Sequence, residues 1–97
     1  MNRTITETEK TNWLDGLRSG KYKQGQHCLQ SGVNTYCCLG VFCVVNKVPF
    51  NSMDTHLPSS VKLDQIIQSD LVTFNDEKSW NFLQIAEWIE KNVETHK

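Results

Sequence analysis

YCCLGVFCVV, at residues 36–45, is the only stretch of this 97-residue chain apolar enough to form the middle of a core, and it holds three of the four cysteines. Its periodicity alone does not separate a buried strand from a buried helix, because every position is apolar or small. Such a run is long for a strand in a small domain. On a helix, four side chains would share one face: Cys38, Val41, Phe42 and Val45. We therefore predict a buried central helix in which Gly40 allows close packing, at about 1 kcal/mol in helix propensity.

Length and composition predict one domain. With 97 residues, 38% of them hydrophobic, the chain fits a single small globular unit over residues 1–97, and we expect residues 1–5 and 94–97 to be frayed. The apolar run is too short to cross a bilayer. Residues 1–15 are polar and lack the apolar stretch of a secretory signal. These features predict a cytoplasmic protein without a membrane partner.

The N-terminal third predicts a helix and then a short irregular hairpin. Thr6 followed by Glu9 matches a capping box, and apolar residues then recur at helical spacing. Gly20 supplies a stop, because glycine adopts the left-handed conformation without a side-chain clash. We predict a helix from about Glu7 to Arg18. The polar, glycine-containing segment at residues 21–36 predicts the hairpin.

The next segment predicts mostly loop. Residues 46–58 contain both prolines and several turn-forming residues. Ser59 or Ser60 then has the side chain to cap a short middle helix that runs through Ile66 or Ile67.

The C-terminal part predicts the clearest helix. A short element around Leu71 to Phe74 is expected to lead into a turn at Asn75 and Asp76, whose side chains bond their own backbone. Asn81 followed by Gln84 is a variant of the capping box. An apolar stripe follows at helical spacing: Phe82, Ile85, Ile89 and Val93. The predicted fold class is α+β and mainly helical, with an N-terminal helix, a short irregular hairpin, a buried central helix, a short middle helix and a C-terminal amphipathic helix.

The cysteines do not fit a zinc site. Structural zinc ligands come in pairs two to four residues apart, whereas Cys28, Cys37, Cys38 and Cys43 are separated by eight, zero and four residues. Only the last spacing is compatible; it lies inside the apolar run, where Cys38 and Cys43 would point to different sides of a helix. A disulfide is not expected in a reducing compartment. His27 beside Cys28, and Cys37 near a helix start, keep a reactive thiol open, but no acid, base and orienting group form a set. We predict buried free thiols that act as small hydrophobic side chains, a non-enzymatic protein, and no cofactor or metal.

The two halves of the chain carry opposite charge. Residues 1–50 contain six basic and three acidic residues, a net charge of +3, and residues 51–97 contain four and eight, a net charge of −4. Arg18, Lys21 and Lys23 form a local basic cluster, which would attract a phosphate or an acidic surface or would lie in a solvated loop. The basic excess is too small for a duplex nucleic acid interface.

Several blocks of the chain resemble a known group. They are Trp13, LRSG-x-Y-x-Q at residues 17–24, YCCLGVFC at residues 36–43, FND at residues 74–76 and FxxIAxxIE at residues 82–90. This pattern resembles small accessory proteins of tailed bacteriophages and prophages. The resemblance covers most of residues 13–90, is most specific in YCCLGV, and is weak over residues 46–70, which are shorter here. It implies a virus-related accessory protein in the cytoplasm of an infected or lysogenic bacterial cell, and it implies no particular activity.

Two polar and aromatic clusters are candidates for a binding site. The first follows the N-terminal helix: Arg18, Ser19, Lys21, Tyr22, Lys23, Gln24 and Gln26. We add Tyr36, which begins the apolar run. Cations, amides and aromatic rings together suit a phosphorylated molecule that contains a base. The second cluster would form the opposite wall, or would serve only in turns and caps: Asn75, Asp76 and Trp80.

Three functions are consistent with these patterns. The first is a binding protein that sequesters a nucleotide-derived signal and so blunts a host defence. The second is an inhibitor or host-takeover factor that contacts a bacterial protein through Trp80, Trp88 or the acidic face of the C-terminal helix. The third is a thiol or metal protein built on Cys28, Cys37 and Cys38. A homo-oligomer with its pocket between subunits also remains open.

Overall fold

The structure is a computed structural model that describes residues 4–96. Within these residues the chain forms four α-helices: α1 (Glu7–Arg18), α2 (Cys38–Val45), α3 (Gln65–Asp76) and α4 (Phe82–Asn92). None of these helices is long and apolar enough to span a bilayer. The predicted mainly helical α+β fold is confirmed.

The described residues also contain two small sheets. In the first, β1 (Ile5–Thr6) pairs parallel with β5 (Thr95–His96). In the second, β4 (Thr35–Tyr36) lies between β2 (Lys23–Gln24), to which it is parallel, and β3 (Gln30–Gly32), to which it is antiparallel. β3 and β4 form the predicted irregular hairpin, and their register shifts within β3. The parallel pairing of β2 with β4 is the feature that the sequence did not indicate.

Both predicted capping boxes are present. In the first, the Thr6 hydroxyl accepts a hydrogen bond from the Glu9 N–H at 3.1 Å, and Glu9 Oε1 accepts one from the Thr6 N–H at 2.9 Å. α1 ends at Arg18 as predicted, and Gly20 follows with a left-handed φ of 77°. Asn81 and Gln84 make the same reciprocal pair at the start of α4. Each box satisfies backbone donors that the first turn of a helix leaves free.

α2 is the predicted central helix, and it is buried along almost its whole length. Trp13 of α1 packs edge-on against Phe42 with ring centroids 5.1 Å apart, and its indole N–H donates to the Cys38 carbonyl at 2.8 Å. A Cβ at Gly40 would overlap the carbonyl oxygen of Leu29, which explains glycine there. The close packing expected at this position is therefore confirmed.

The middle helix differs from the prediction. α3 begins at Gln65, with Asp64 as its N-cap, and runs without interruption through residues 71–74 to Asp76. The predicted helix starting at residues 59–60 and the predicted turn at residues 75–76 are wrong. Two of the three side chains that α3 buries are amides, Gln68 and Asn75, so its buried face has no apolar period. The Gln68 side chain is satisfied by donating to the Leu63 carbonyl and accepting from the Leu57 N–H.

The two ends of the described chain meet beside α4. Ile5 is buried and pairs with Thr95, which differs from the predicted fraying of the termini. The predicted fraying of residues 1–3 and 97 lies outside the described residues. Lys10 of α1 donates from Nζ to the Val93 carbonyl at 2.6 Å, just beyond the end of α4. This contact joins the first and last helices.

Candidate functional site

Residues from the two predicted clusters meet at one groove. The β2 segment and the connection between α3 and α4 line a cavity of about 420 Å³. We call it the amide groove, and its lining is Gln24, Gly25, Gln26, Asn75, Ser79, Trp80 and Asn81. Four of these residues belong to the predicted site: Gln24, Gln26, Asn75 and Trp80. The structure therefore brings together side chains that are about fifty residues apart in the sequence.

Asn75 organises this groove from the last turn of α3. Its fully buried side chain donates from Nδ2 to the Gly25 carbonyl and to Asp76 Oδ1, both at 2.8 Å, and accepts at Oδ1 from Gln24 Nε2 at 2.9 Å. Its backbone carbonyl accepts from Gln26 Nε2 at 3.1 Å. Because a buried amide left without partners costs about 1 to 3 kcal/mol, this arrangement fixes β2 against α3.

Polar atoms of the groove remain free for a ligand. The Nε2 atoms of both glutamines donate to protein atoms, and Gln24 Nε2 also reaches the Trp80 carbonyl at 2.7 Å. The Oε1 atoms of both glutamines accept no hydrogen bond from residues 4–96. The Trp80 indole N–H likewise donates no hydrogen bond to any of residues 4–96. The lining therefore includes two amide oxygens that accept no hydrogen bond from the described residues, and donors on Trp80, Ser79 and Asn81.

The aromatic wall of the groove is built by three rings. Trp80 stacks on Phe74 with centroids 4.1 Å apart and an interplanar angle of 12°, and Phe74 meets Trp88 edge-on at 5.1 Å. Phe74 thus covers one face of Trp80 and fixes the orientation of the indole. An indole held in place presents its remaining surface at little cost in conformational entropy.

Two residues near the groove have left-handed backbone conformations without being glycine. Ser79, which lines the groove, has φ of 55°, and His27, next to Gln26, has φ of 74°. Such conformations cost about 1 to 3 kcal/mol and are concentrated at ligand sites and switch regions. The His27 ring also lies near Asp76, with Nδ1 3.8 Å from Oδ2. Asp76, which was predicted as a site residue, accepts from Asn75 and is not part of the groove lining.

The predicted basic cluster lies elsewhere. Arg18 pairs with Glu90 of α4 at 2.8 Å, and its hydrogen bond and charge lower the pKa of that exposed carboxyl group. Ser19, Lys21 and Tyr22 border a separate depression of about 240 Å³. The predicted site is therefore divided, and no cation among residues 4–96 lines the amide groove.

The two remaining predicted residues lie outside that groove lining as well. Lys23 is exposed on β2, and Tyr36 packs edge-on against Tyr22 with centroids 5.7 Å apart. This aromatic pair packs on the three-stranded sheet. Tyr36 therefore makes a packing contact, whereas the sequence predicted a ligand contact for it.

A second groove, which the sequence did not indicate as a small-molecule site, shares Trp80 with the amide groove. We call it the α4 groove; its volume is about 470 Å³ and its lining is Trp80, Gln84, Glu87, Trp88, Lys91 and Asn92. The helical spacing of Gln84, Trp88 and Lys91 was the available signal, since residues three and four apart share a helix face. Trp80 lines both grooves.

Three of the thiols are buried in the core, as expected from their apolar surroundings, namely Cys37, Cys38 and Cys43, whereas Cys28 is half-buried, which differs from the prediction. Burial raises the pKa of Cys37 to about 11, that of Cys43 to about 12, and that of Cys38 well above its ordinary value. Cys38 donates weakly to the Leu71 carbonyl at 3.7 Å. No group of three ligand side chains that could hold a metal occurs in the part of the chain that the structure describes. The thiols of Cys37, Cys38 and Cys43 are therefore protonated packing groups at neutral pH.

One family matches part of the chain. Residues 1–48, just under half of the sequence, match a domain of unknown function, DUF8296. The match includes α1, the three-stranded sheet and α2, and hence the β2 wall of the amide groove. The other wall, with Asn75 and Trp80, lies beyond it. No curated protein and no solved structure matches the chain.

Proposed function

We propose that this protein binds and sequesters a nucleotide-derived small molecule whose base lies in the amide groove. The observation that carries the proposal is the convergence of Gln24, Gln26 and Trp80 around the buried Asn75. Free amide oxygens and an indole N–H complement the donors and acceptors on the edge of a nucleobase. An aromatic ring beside them supplies a stacking surface worth about 1 to 3 kcal/mol per base.

The chemistry of the lining supports capture over turnover. The side chains are amides, a hydroxyl and an indole, so the described lining has no carboxylate, imidazole, amine or thiol to transfer a proton or to activate the Ser79 hydroxyl as a nucleophile. We place this role in a bacterium infected by phage or carrying a prophage, on the resemblance of residues 13–90. There, sequestering a signal would blunt a host defence.

The other two functions predicted from the sequence have less support. Trp80 and Trp88, the anchors for a bacterial protein, are half-buried and both contact Phe74, which leaves less of each ring for a partner. The thiols that would serve a redox or metal site are Cys37 and Cys38, which are buried, and Cys28, which is half-buried. Small-molecule capture uses the surface that the structure leaves polar and open.

Thermal unfolding with nucleosides and nucleotides tests the proposal. A ligand at one hundred times its dissociation constant stabilises the folded state by about 2.7 kcal/mol, and the melting temperature should rise by roughly 10 °C or more. Gln26→Ala removes a free acceptor and should weaken binding by about tenfold. Gln30→Ala is the matched control, because its amide donates to the Gly32 carbonyl outside the groove.

Ligand recovery separates capture from catalysis. After the complex is denatured, the bound molecule should be recovered unchanged in amounts equal to the protein. A chemically altered product would refute the non-enzymatic role. A flat melting temperature across the panel at millimolar concentrations would refute nucleobase binding.

A further inference from the structure

The α4 groove has a cation in its lining, which the described lining of the amide groove lacks. Lys91 supplies a cation, and Gln84 supplies a donor, since its Oε1 accepts from the Asn81 N–H at 2.9 Å and its Nε2 has no acceptor among residues 4–96. The indole N–H of Trp88 also donates to none of these residues. The groove therefore favours an acceptor-rich, anionic group.

The two grooves share Trp80 and differ in charge. Among the described residues, the lining of the amide groove has neutral donors and acceptors and no cation, whereas the lining of the α4 groove includes a lysine. A nucleotide has the same division, because its base carries an edge of donors and acceptors and its phosphate carries negative charge and acceptor oxygens only. A single molecule lying across Trp80 would satisfy both grooves.

We infer that the phosphate of the ligand lies in the α4 groove, where Lys91 Nζ and Gln84 Nε2 donate to it while the base occupies the amide groove. This inference rests on the proposed function and names the part of the ligand that the amide groove cannot hold. It moves phosphate recognition from Arg18, Lys21 and Lys23, where the sequence places it, to the opposite end of the chain.

Glu87 opposes this arrangement in a way that gives a test. Its Oε1 lies 3.2 Å from Lys91 Nζ, and both side chains are about two-thirds exposed. A phosphate must therefore compete with this carboxylate for the lysine and lie near its negative charge. Replacing Glu87 by glutamine removes the repulsion and frees the lysine, so that substitution should strengthen phosphate binding.

The experiment compares four nucleosides with their 5′-monophosphates: adenosine, guanosine, cytidine and uridine. Binding is followed by titration in ¹H–¹⁵N NMR spectra, which report dissociation constants even for weak complexes. The indole N–H signals of Trp80 and Trp88 should both shift with a monophosphate. The Trp13 indole N–H, buried and bonded to the Cys38 carbonyl, is the internal control and should remain fixed.

Three variants locate the phosphate. Lys91→Met should lower monophosphate affinity by about tenfold and leave nucleoside affinity unchanged. Lys21→Met removes the same charge beside the separate depression near Tyr22, and it should change neither affinity by more than about twofold. Glu87→Gln should raise monophosphate affinity by a few-fold and leave nucleoside affinity unchanged.

The outcomes separate this inference from the proposed function. If a monophosphate binds no more tightly than its nucleoside, or if its advantage survives in Lys91→Met, the phosphate site is refuted and base capture stands. If neither kind of molecule binds, the proposed function fails and the inference fails with it. An advantage lost in Lys91→Met and enlarged in Glu87→Gln supports both.

Discussion

Replacing Asn75 tests whether this one amide holds the groove and the fold together. The alanine variant loses the bonds to the Gly25 carbonyl, to Asp76 Oδ1 and to Gln24 Nε2. At about 1 kcal/mol for each of these three bonds, with a penalty of about 1 kcal/mol for leaving the buried Gly25 carbonyl unsatisfied, unfolding should require about 4 kcal/mol less. Typical domains have about 5 to 15 kcal/mol of stability, so the variant should still fold.

Urea unfolding followed by tryptophan fluorescence measures this loss. Asn75→Asp should be at least as harmful as alanine, because its carboxylate would face the Gly25 carbonyl and the Asp76 carboxylate where Nδ2 now donates. Asn12→Ala is the matched control, since Asn12 is exposed on α1 and alanine has the higher helix propensity; its stability should stay within about 1 kcal/mol of the parent. A loss below 1 kcal/mol for Asn75→Ala would refute the role given to this residue.

The remaining predictions concern the core. Gly40→Ala should destabilise the fold by about 1 to 3 kcal/mol in urea despite the higher helix propensity of alanine, because the new Cβ meets the Leu29 carbonyl; an unchanged midpoint would contradict that contact. Ellman's reagent at pH 8 should quickly label only Cys28 in the native protein, whereas it should label all four cysteines in urea. Rapid labelling of Cys37 in the native protein would contradict its burial. Burial raises the pKa of Cys37 to about 11 and that of Cys43 to about 12, from an ordinary pKa of 9.0. The contribution of these thiols to the free energy of unfolding is therefore complete below pH 9.0 and is lost as the pH rises through 11 to 12. The urea midpoint should therefore fall between pH 8 and pH 10.5.

The parts of the fold that the sequence predicted are those with local causes. Thr6 with Glu9, and Asn81 with Gln84, fix helix starts through contacts three residues apart, so the pattern contains the whole mechanism. The central helix was predictable for a different reason: its uniformly apolar residues require burial, and the run is long for a strand in a small domain. α3 was misjudged because its buried stripe is Gln68, Leu71 and Asn75, and amides at buried positions are recognisable only when their partners are known.

The sequence indicated which types of residue line the candidate site, but it did not indicate how these residues are arranged in space. Polar and aromatic residues near Gln24 and near Asn75 were both identified, but their meeting depends on β2 pairing parallel with β4 and on α3 continuing to Asp76. Arg18 shows the opposite effect. From the sequence alone, the charge of Arg18 suits a phosphate ligand. In the structure, however, Arg18 pairs with Glu90, 72 residues away, and no local sequence pattern indicates this contact.

Gly25 lies between the two glutamines of the amide groove and is held from two sides. Its N–H donates to the Tyr36 carbonyl at 2.8 Å and its carbonyl accepts from Asn75, so the backbone between the two glutamines is fixed from β4 and from α3 at once. A Cβ there would collide with Ser31 and would lie 2.9 Å from Thr35 Cγ2, which keeps this position free of side chains. Because the same bonds stabilise the fold and orient the glutamines, binding of the proposed ligand should cost little conformational entropy of these side chains. Affinity for a base and the stability of the end of α3 should therefore rise and fall together, and a variant that loosens Asn75 should lose both.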